Sequence, residues 1–281
     1  MGYHWPMADS GLIVSLDALA AQVPDGTLLA VPPDYSGVAM EATRALIRRG
    51  VKRLHVVAVP TSGLQAELLI GAGCVETIEA AAVTLGEAGP APRFSAAVKS
   101  GAVRIRDATC PAIHAALQAA EKGIPFMPLR GIIGTDILRH RTDWRTVQNP
   151  LSEGDDPIVL LPAIQPDIAL FHVPLADREG NVWVGRRREL VTMAHAAKRN
   201  LVTAEVIQEQ NLLEDERLAA GVIPALYVSA VAEAARGAWP IGLEGRYEPD
   251  TAHIADYVRT ARSEDGFRAY LAGHVLARRA A

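Results

Sequence analysis

The sequence predicts an α/β protein built on a mostly parallel β-sheet flanked by helices on both faces. Three observations point there. Short apolar runs at residues 28–31, 54–59, 168–173 and 201–204 lack the in-and-out alternation of a half-exposed strand, as expected of strands buried on both faces. Segments with a 3.6-residue apolar period fall between those runs. The connections are short and punctuated by glycine and proline, which favours strand-helix-strand units over hairpins.

The elements follow in order. Leu16, Leu19, Ala20 and Val23 keep i, i+3, i+4, i+7 spacing after a capping Ser15, and Pro24 closes this first helix. Asp25-Gly26 turns the chain into the first strand, residues 28–31. Met40, Thr43 and Ile47 define the next helix up to Gly50, and residues 54–59 form the second strand. Gly71-Ala72-Gly73 reads either as a dinucleotide loop lacking its third glycine, a place held by Glu76, or as a helix end before a strand near Val75; the second fits better. Ile113, Ala116, Leu117 and Ala120 mark a helix capped by Gly123, followed by the extended Ile124-Pro125-Phe126-Met127-Pro128. Residues 141–157 are polar and read as a long functional loop or lobe connection. Leu190, Met193, Ala194 and Ala197 form another helical stripe, and Phe267, Tyr270, Leu271 and Val275 a last one, with residues 278–281 expected to fray. No repeat interrupts this pattern, so one domain over residues 1–281 is expected.

Composition narrows the function. Of 281 residues 49% are hydrophobic and 21% charged, and a net charge of −4 offers no general attraction to nucleic acid or an anionic membrane. Two cysteines, Cys74 and Cys110, lie in no metal or disulfide spacing, so we expect no metal and a reducing, cytoplasmic setting. Met1 to Ser10 shows no targeting pattern, and no apolar run is long enough to span a bilayer.

Several residues are candidates for chemistry. Asp34, Tyr35, Ser36 and Gly37 follow the first strand and precede a helix, where backbone N–H groups converge on an anion or oxyanion; an ordinary cap by Ser36 is compatible with that role. Gly131-Ile132-Ile133-Gly134-Thr135-Asp136 reads equally as a binding loop, with Gly131, Gly134 and Thr135 allowing close backbone approach, and as a tight connection. His172 stands at a strand end, whereas His55 and His195 read as packed or surface histidines. Arg186-Arg187-Arg188 is mostly a solvated face from which one guanidinium reaches a phosphate.

Taken together these stretches resemble the α subunit of the class I coenzyme A transferases, particularly the glutaconate-type branch, over about residues 16–207. The resemblance rests on Asp25-Gly26, Gly71-Ala72-Gly73, the run from Gly123 through Pro128, Arg130 with the loop after it, and Pro166-Asp167-Ile168-Ala169-Leu170-Phe171-His172-Val173 continued by Ala176-Asp177-Arg178-Glu179-Gly180-Asn181. It implies a fold shared with sugar-phosphate isomerases, coenzyme A as the acyl-CoA substrate, a carboxylic acid as the second substrate and a β-type partner subunit carrying the nucleophilic glutamate. The α subunit is then expected to supply a loop whose amides stabilise the oxyanion. Consistently, Glu41, Glu67, Glu76, Glu79, Glu121, Glu179 and Glu189 all fall in predicted elements or in the α-subunit pattern. One departure stands out: Pro32-Pro33-Asp34-Tyr35 replaces the family's Gly-Gly-Phe, removing two N–H donors. Asp34 is expected to oppose a developing negative charge unless it is paired or points away. A ring-opening hydrolase subunit of the same family is the alternative, with Asp107 as the only acid retained before the helix and an ion pair its expected role; a non-catalytic binding protein on this scaffold is the second.

Overall fold

The computed structural model describes residues 11–277. The expectations for residues 1–10 and 278–281 lie outside them. Its centre is a parallel sheet of β1 (Leu28–Val31), β2 (Leu54–Ala58), β3 (Val75–Ala80), β4 (Arg104–Asp107), β5 (Ile168–Val173), β6 (Arg199–Ala204) and β7 (Ala230–Glu233), ordered β7-β6-β5-β1-β2-β3-β4. Residues along each strand alternate between two cores. Leu29, Val31, Val56, Leu170 and Ala232 join one, and Ala30, Val57, Phe171, Val202 and Val231 the other. Burial on both sides explains the unbroken apolar runs of the inner strands, because neither face meets water.

Helices α1 (Leu16–Ala21), α2 (Met40–Arg49) and α3 (Leu64–Gly71) cover the first core with the C-terminal α8 (Thr251–Thr260) and α9 (Glu264–Leu271). The second core lies under α5 (Cys110–Glu121) and α7 (Arg188–Ala196). Boundaries follow local chemistry: Ser15 accepts the amide of Ala18 at 3.2 Å, Thr109 accepts that of Ala112 at 3.3 Å, and Gly50 closes α2 at φ 75°. Gly71-Ala72-Gly73 is a helix end and opens no dinucleotide loop. Two further helices, α4 (Pro92–Ser100) and the short α6 (Ile137–His140), complete the set among the described residues.

One expectation is corrected. Residues 141–157 are not a structureless loop, because Arg145–Gln148 pairs antiparallel with Pro157–Pro162, which also pairs with Phe126–Leu129. The sequence signal is weak because Arg145–Gln148 is exposed throughout and carries no apolar stripe.

Topology places the site. From β1 the chain steps outward through β2, β3 and β4, then returns to lay β5 against the other side of β1 and continues to β7. The loops leaving β1 and β5 therefore diverge, opening a crevice at the carboxyl edge of the sheet where open α/β proteins bind ligands.

Candidate functional site at the sheet switch point

The crevice is built first by the chain after β1. Pro32 and Pro33 lead into a single 3-10 turn, Asp34–Ser36, and then Gly37 at φ 81°. Gly37 accepts the amide of His172 at 2.7 Å, and a Cβ there would lie 2.2 Å from the His172 carbonyl oxygen, so this approach of β1 to β5 requires glycine. The Ser36 hydroxyl, itself buried, donates to Glu189 in the first turn of α7. Among the described residues no acceptor takes the N–H of Gly37, Val38 or Ala39, and no side chain caps α2. Unsatisfied amides at a helix start are anion ligands in waiting.

Opposite this loop the wall comes from Trp183, Val184, Gly185, Arg186, Arg187, Leu190, Leu243 and Glu244, enclosing with Tyr35, Ser36, Gly37, His172, Val173 and Pro174 a cleft of about 400 Å³. Its interior is apolar and its mouth charged. Arg187 donates to Glu244 Oε2 at 2.5 Å while its guanidinium stands 5.7 Å from the centre of the Tyr35 ring; Arg186 donates to the other oxygen of Glu244. Tyr35 is 63% exposed, so its ring stands at the opening.

Beneath the cleft lies a buried hub. Glu205, just past β6, accepts from His172 Nε2 at 2.9 Å, the Tyr247 hydroxyl at 2.6 Å, and the amides of Arg236 at 2.7 Å and Gly237 at 3.0 Å. Burial works to raise its carboxyl, yet the bonds from His172, Tyr247 and Arg236 together hold it below the ordinary carboxylate range. The same contact works in reverse on Tyr247, whose hydroxyl is pushed up by burial and by its bond to Glu205. His172 Nδ1 meets Thr203 Oγ1 at 2.8 Å, so both ring nitrogens are engaged. His172 is thus a fixed post of the cleft floor, whereas His55 pairs with Glu79 in β3, and His195 on α7 stacks on Tyr227.

The structure brings Tyr35, Ser36 and Gly37 together in this cleft and turns Asp34 away from it. The Asp34 carboxyl is packed against the start of α3, its Oδ2 accepting the Leu64 amide at 3.2 Å. A Cβ on Gly63 would lie 2.0 Å from that oxygen, so Gly63 makes room for the carboxylate. Burial pushes Asp34 up to about 6, against the amides of Leu64 and Gly63, which act to lower it. Gly131, Gly134 and Thr135 do not line the cleft: they follow Phe126–Leu129, and the adjoining Ile132 packs with Val159 and Leu161 of the three-stranded sheet. Asp107, expected in an ion pair, has an exposed side chain with no ion-pair partner among the described residues, and its backbone carbonyl accepts from Arg141. The arginines cluster instead on Glu79, bound by Arg141 at 2.7 Å and Arg106 at 3.2 Å. Sequence reasoning missed Trp183, Glu205, Glu244 and Tyr247, which lie in short irregular segments far apart in the chain and carry no local period.

Fold and crevice define an open α/β protein with an amide-lined, anion-accepting cleft at its switch point. The sequence profile of the family described as coenzyme A transferase matches residues 13–234, and the chain belongs to that family. It is 34% identical over 242 residues to an uncharacterized protein of Archaeoglobus fulgidus, covering 85% of this chain but only 53% of that relative, about half its length. To one of the subunits named for the 3-oxoadipate CoA-transferase of Pseudomonas knackmussii, the counterpart of the α chain, it is 28% identical over 267 residues, 92% of each chain. The glutaconate coenzyme A-transferase of Acidaminococcus fermentans superposes with a TM-score of 0.85 over 94% of this chain and 89% of that one at 23% identity, a likeness of fold. No helix among the described residues is long and apolar enough to cross a membrane.

Proposed function

We propose that this chain is the α subunit of a cytoplasmic enzyme that moves coenzyme A between an acyl-CoA and a carboxylic acid, with the nucleophilic glutamate on a β-type partner. The partner's carboxylate attacks the thioester carbonyl, coenzyme A leaves as thiolate, and an acyl-glutamyl anhydride forms. The thiolate then attacks the glutamyl carbonyl, the first acid departs, and the enzyme thioester passes coenzyme A to the acceptor acid through the reverse sequence. Each tetrahedral oxyanion needs donors that are already in place. The observation that carries this reading is the uncapped start of α2: free amides beside Gly37, held against β5, in a cleft whose own carboxylates are engaged. Glu244 is held by two arginines, Glu205 by four donors and Glu189 by Ser36, which leaves the nucleophile's position to another chain. The turn at Gly131, Gly134 and Thr135 serves the coenzyme. A Cβ on Gly131 or Gly134 would meet nothing within 4 Å, so this backbone is open to an approaching ligand.

The test is to incubate the chain alone, and then with the β-type partner from its host, with a panel of acyl-CoAs and acceptor acids, trapping enzyme-bound thioester with hydroxylamine. Turnover and a trapped glutamyl adduct are expected only in the pair, with the adduct on the partner. An adduct on this chain alone would refute the assignment, and Glu244 is where to look for it.

A further inference from the structure

The arginines at the cleft mouth hold more positive charge than the cleft neutralises. Among its lining residues the formally charged groups are Arg186, Arg187 and Glu244, so two guanidinium groups share one carboxylate. Just outside, Arg246 donates to the carbonyl of Pro174, a cleft residue, adding a third guanidinium. The walls below are apolar side chains: Val173, Trp183, Val184, Leu190 and Leu243. Glu244 is half exposed on a tight turn closed by pairing of Leu243 with Tyr247. Of that turn, Tyr247 is anchored through its hydroxyl on Glu205, while the Glu244 side chain is held by the arginines alone.

We infer that Arg187 is a specificity-determining residue that binds a second carboxylate, at the end of the acyl group remote from the thioester, and that Glu244 is the resident carboxylate which the substrate displaces. This rests on the acyl-transfer reading above. The planar guanidinium fork matches a carboxylate, and Glu244 shows that this pair of arginines holds one. Position then selects the acyl group over the coenzyme. The pantetheine arm keeps the 3′-phosphate of coenzyme A far from its thioester, whereas Arg187 stacks on Tyr35, the neighbour of Ser36 and Gly37. A group bound there is one short acyl chain from the oxyanion amides. The favoured substrates are therefore monothioesters of dicarboxylic acids, with a short methylene chain against Trp183 and Leu190.

Calorimetry on the full chain, with glutarate, pentanoate and free coenzyme A as probes, separates this inference from the broader one. Wild-type protein is expected to bind glutarate more tightly than pentanoate, of equal carbon number. Arg187→Met should cut the glutarate affinity roughly ten- to hundredfold, the range for a lost charged hydrogen bond, and leave pentanoate and coenzyme A unchanged. Arg187→Lys should recover part of the loss, and Glu244→Gln should tighten glutarate severalfold by freeing the fork. Equal affinity for both acids in wild-type protein that still binds coenzyme A overturns the inference and leaves the transferase reading standing. A loss of coenzyme A affinity in Arg187→Met instead assigns the arginine to the phosphate and also overturns it. Failure to bind any of the three probes overturns both.

Discussion

Asp34 shows how a single residue can look wrong in sequence and be explained by its neighbours. It stands beside the loop where negative charge should develop, yet its carboxylate faces the amides of α3 through the gap that Gly63 leaves, so its charge is directed away from the cleft. The cost is burial. The folded carboxyl titrates near 6, above its unfolded value of 3.8, so it favours the fold only while protonated. That contribution is complete below about pH 4 and is lost as pH rises through 6, amounting to about 3 kcal/mol for a shift of about two units. Asp34→Asn should remove this dependence, because an amide accepts the Leu64 N–H without ionising. Urea unfolding of both proteins at pH 4.5 and 7.5 tests it: the variant should gain on wild type at the higher pH by up to that amount. Equal differences at the two pH values would show that Asp34 is solvated. Elsewhere the engaged carboxylates of Glu205 and Asp143 give the opposite slope, but they cancel in the comparison.

At the scale of elements, helix ends are joined by buried acids rather than by local caps alone. Glu67 on α3 accepts the amides of Arg93 at 2.7 Å and Phe94 at 2.8 Å in the first turn of α4, and the Tyr257 hydroxyl of α8 at 2.9 Å. One carboxylate thus satisfies two orphan donors of α4 and ties three helices over the first core. Glu67→Ala should cost about 2–4 kcal/mol in unfolding free energy at pH 7, since each buried donor left unpaired costs about 1–3 kcal/mol. A loss within about half a kcal/mol would mean that water replaces the carboxylate. Such links explain what was legible in the sequence. The strands β1, β2, β5 and β6 were readable because burial on both faces writes a continuous apolar run. The edge strand β4 was not, because its Arg104-Ile105-Arg106-Asp107 is largely exposed, nor was β7, whose Ala230-Val231-Ala232-Glu233 is short and small. The loop at Tyr35, Ser36 and Gly37 was legible as a strand-to-helix turn. Glu205, Tyr247 and Glu244 were not, since their importance comes only from meeting His172, Arg186 and Arg187 across the fold.

On the scale of the whole molecule, the two regions assigned to substrate lie on different platforms. The cleft belongs to the switch point of the parallel sheet, whereas Gly131, Gly134 and Thr135 ride on the three-stranded antiparallel sheet packed against α5. An acyl-CoA is long enough to use both, with its acyl end at Arg187 and its coenzyme along the second platform. Changes at sites that share no partners should then add in free energy. Gly134 has φ 82° and open space where a Cβ would stand, so Gly134→Val strains the backbone by about 1–2 kcal/mol without a clash and projects a branched side chain into the ligand's approach. In the assembled enzyme this change should raise KM for acyl-CoA whatever the acyl group, while Arg187→Met should lower kcat/KM only for acyl groups bearing a second carboxylate. The double variant should show the product of the two effects within about twofold, the usual scatter of additive sites. A coupling beyond that would place the loop and the arginine on the same part of the substrate, and the division of the ligand between the two platforms would have to be abandoned.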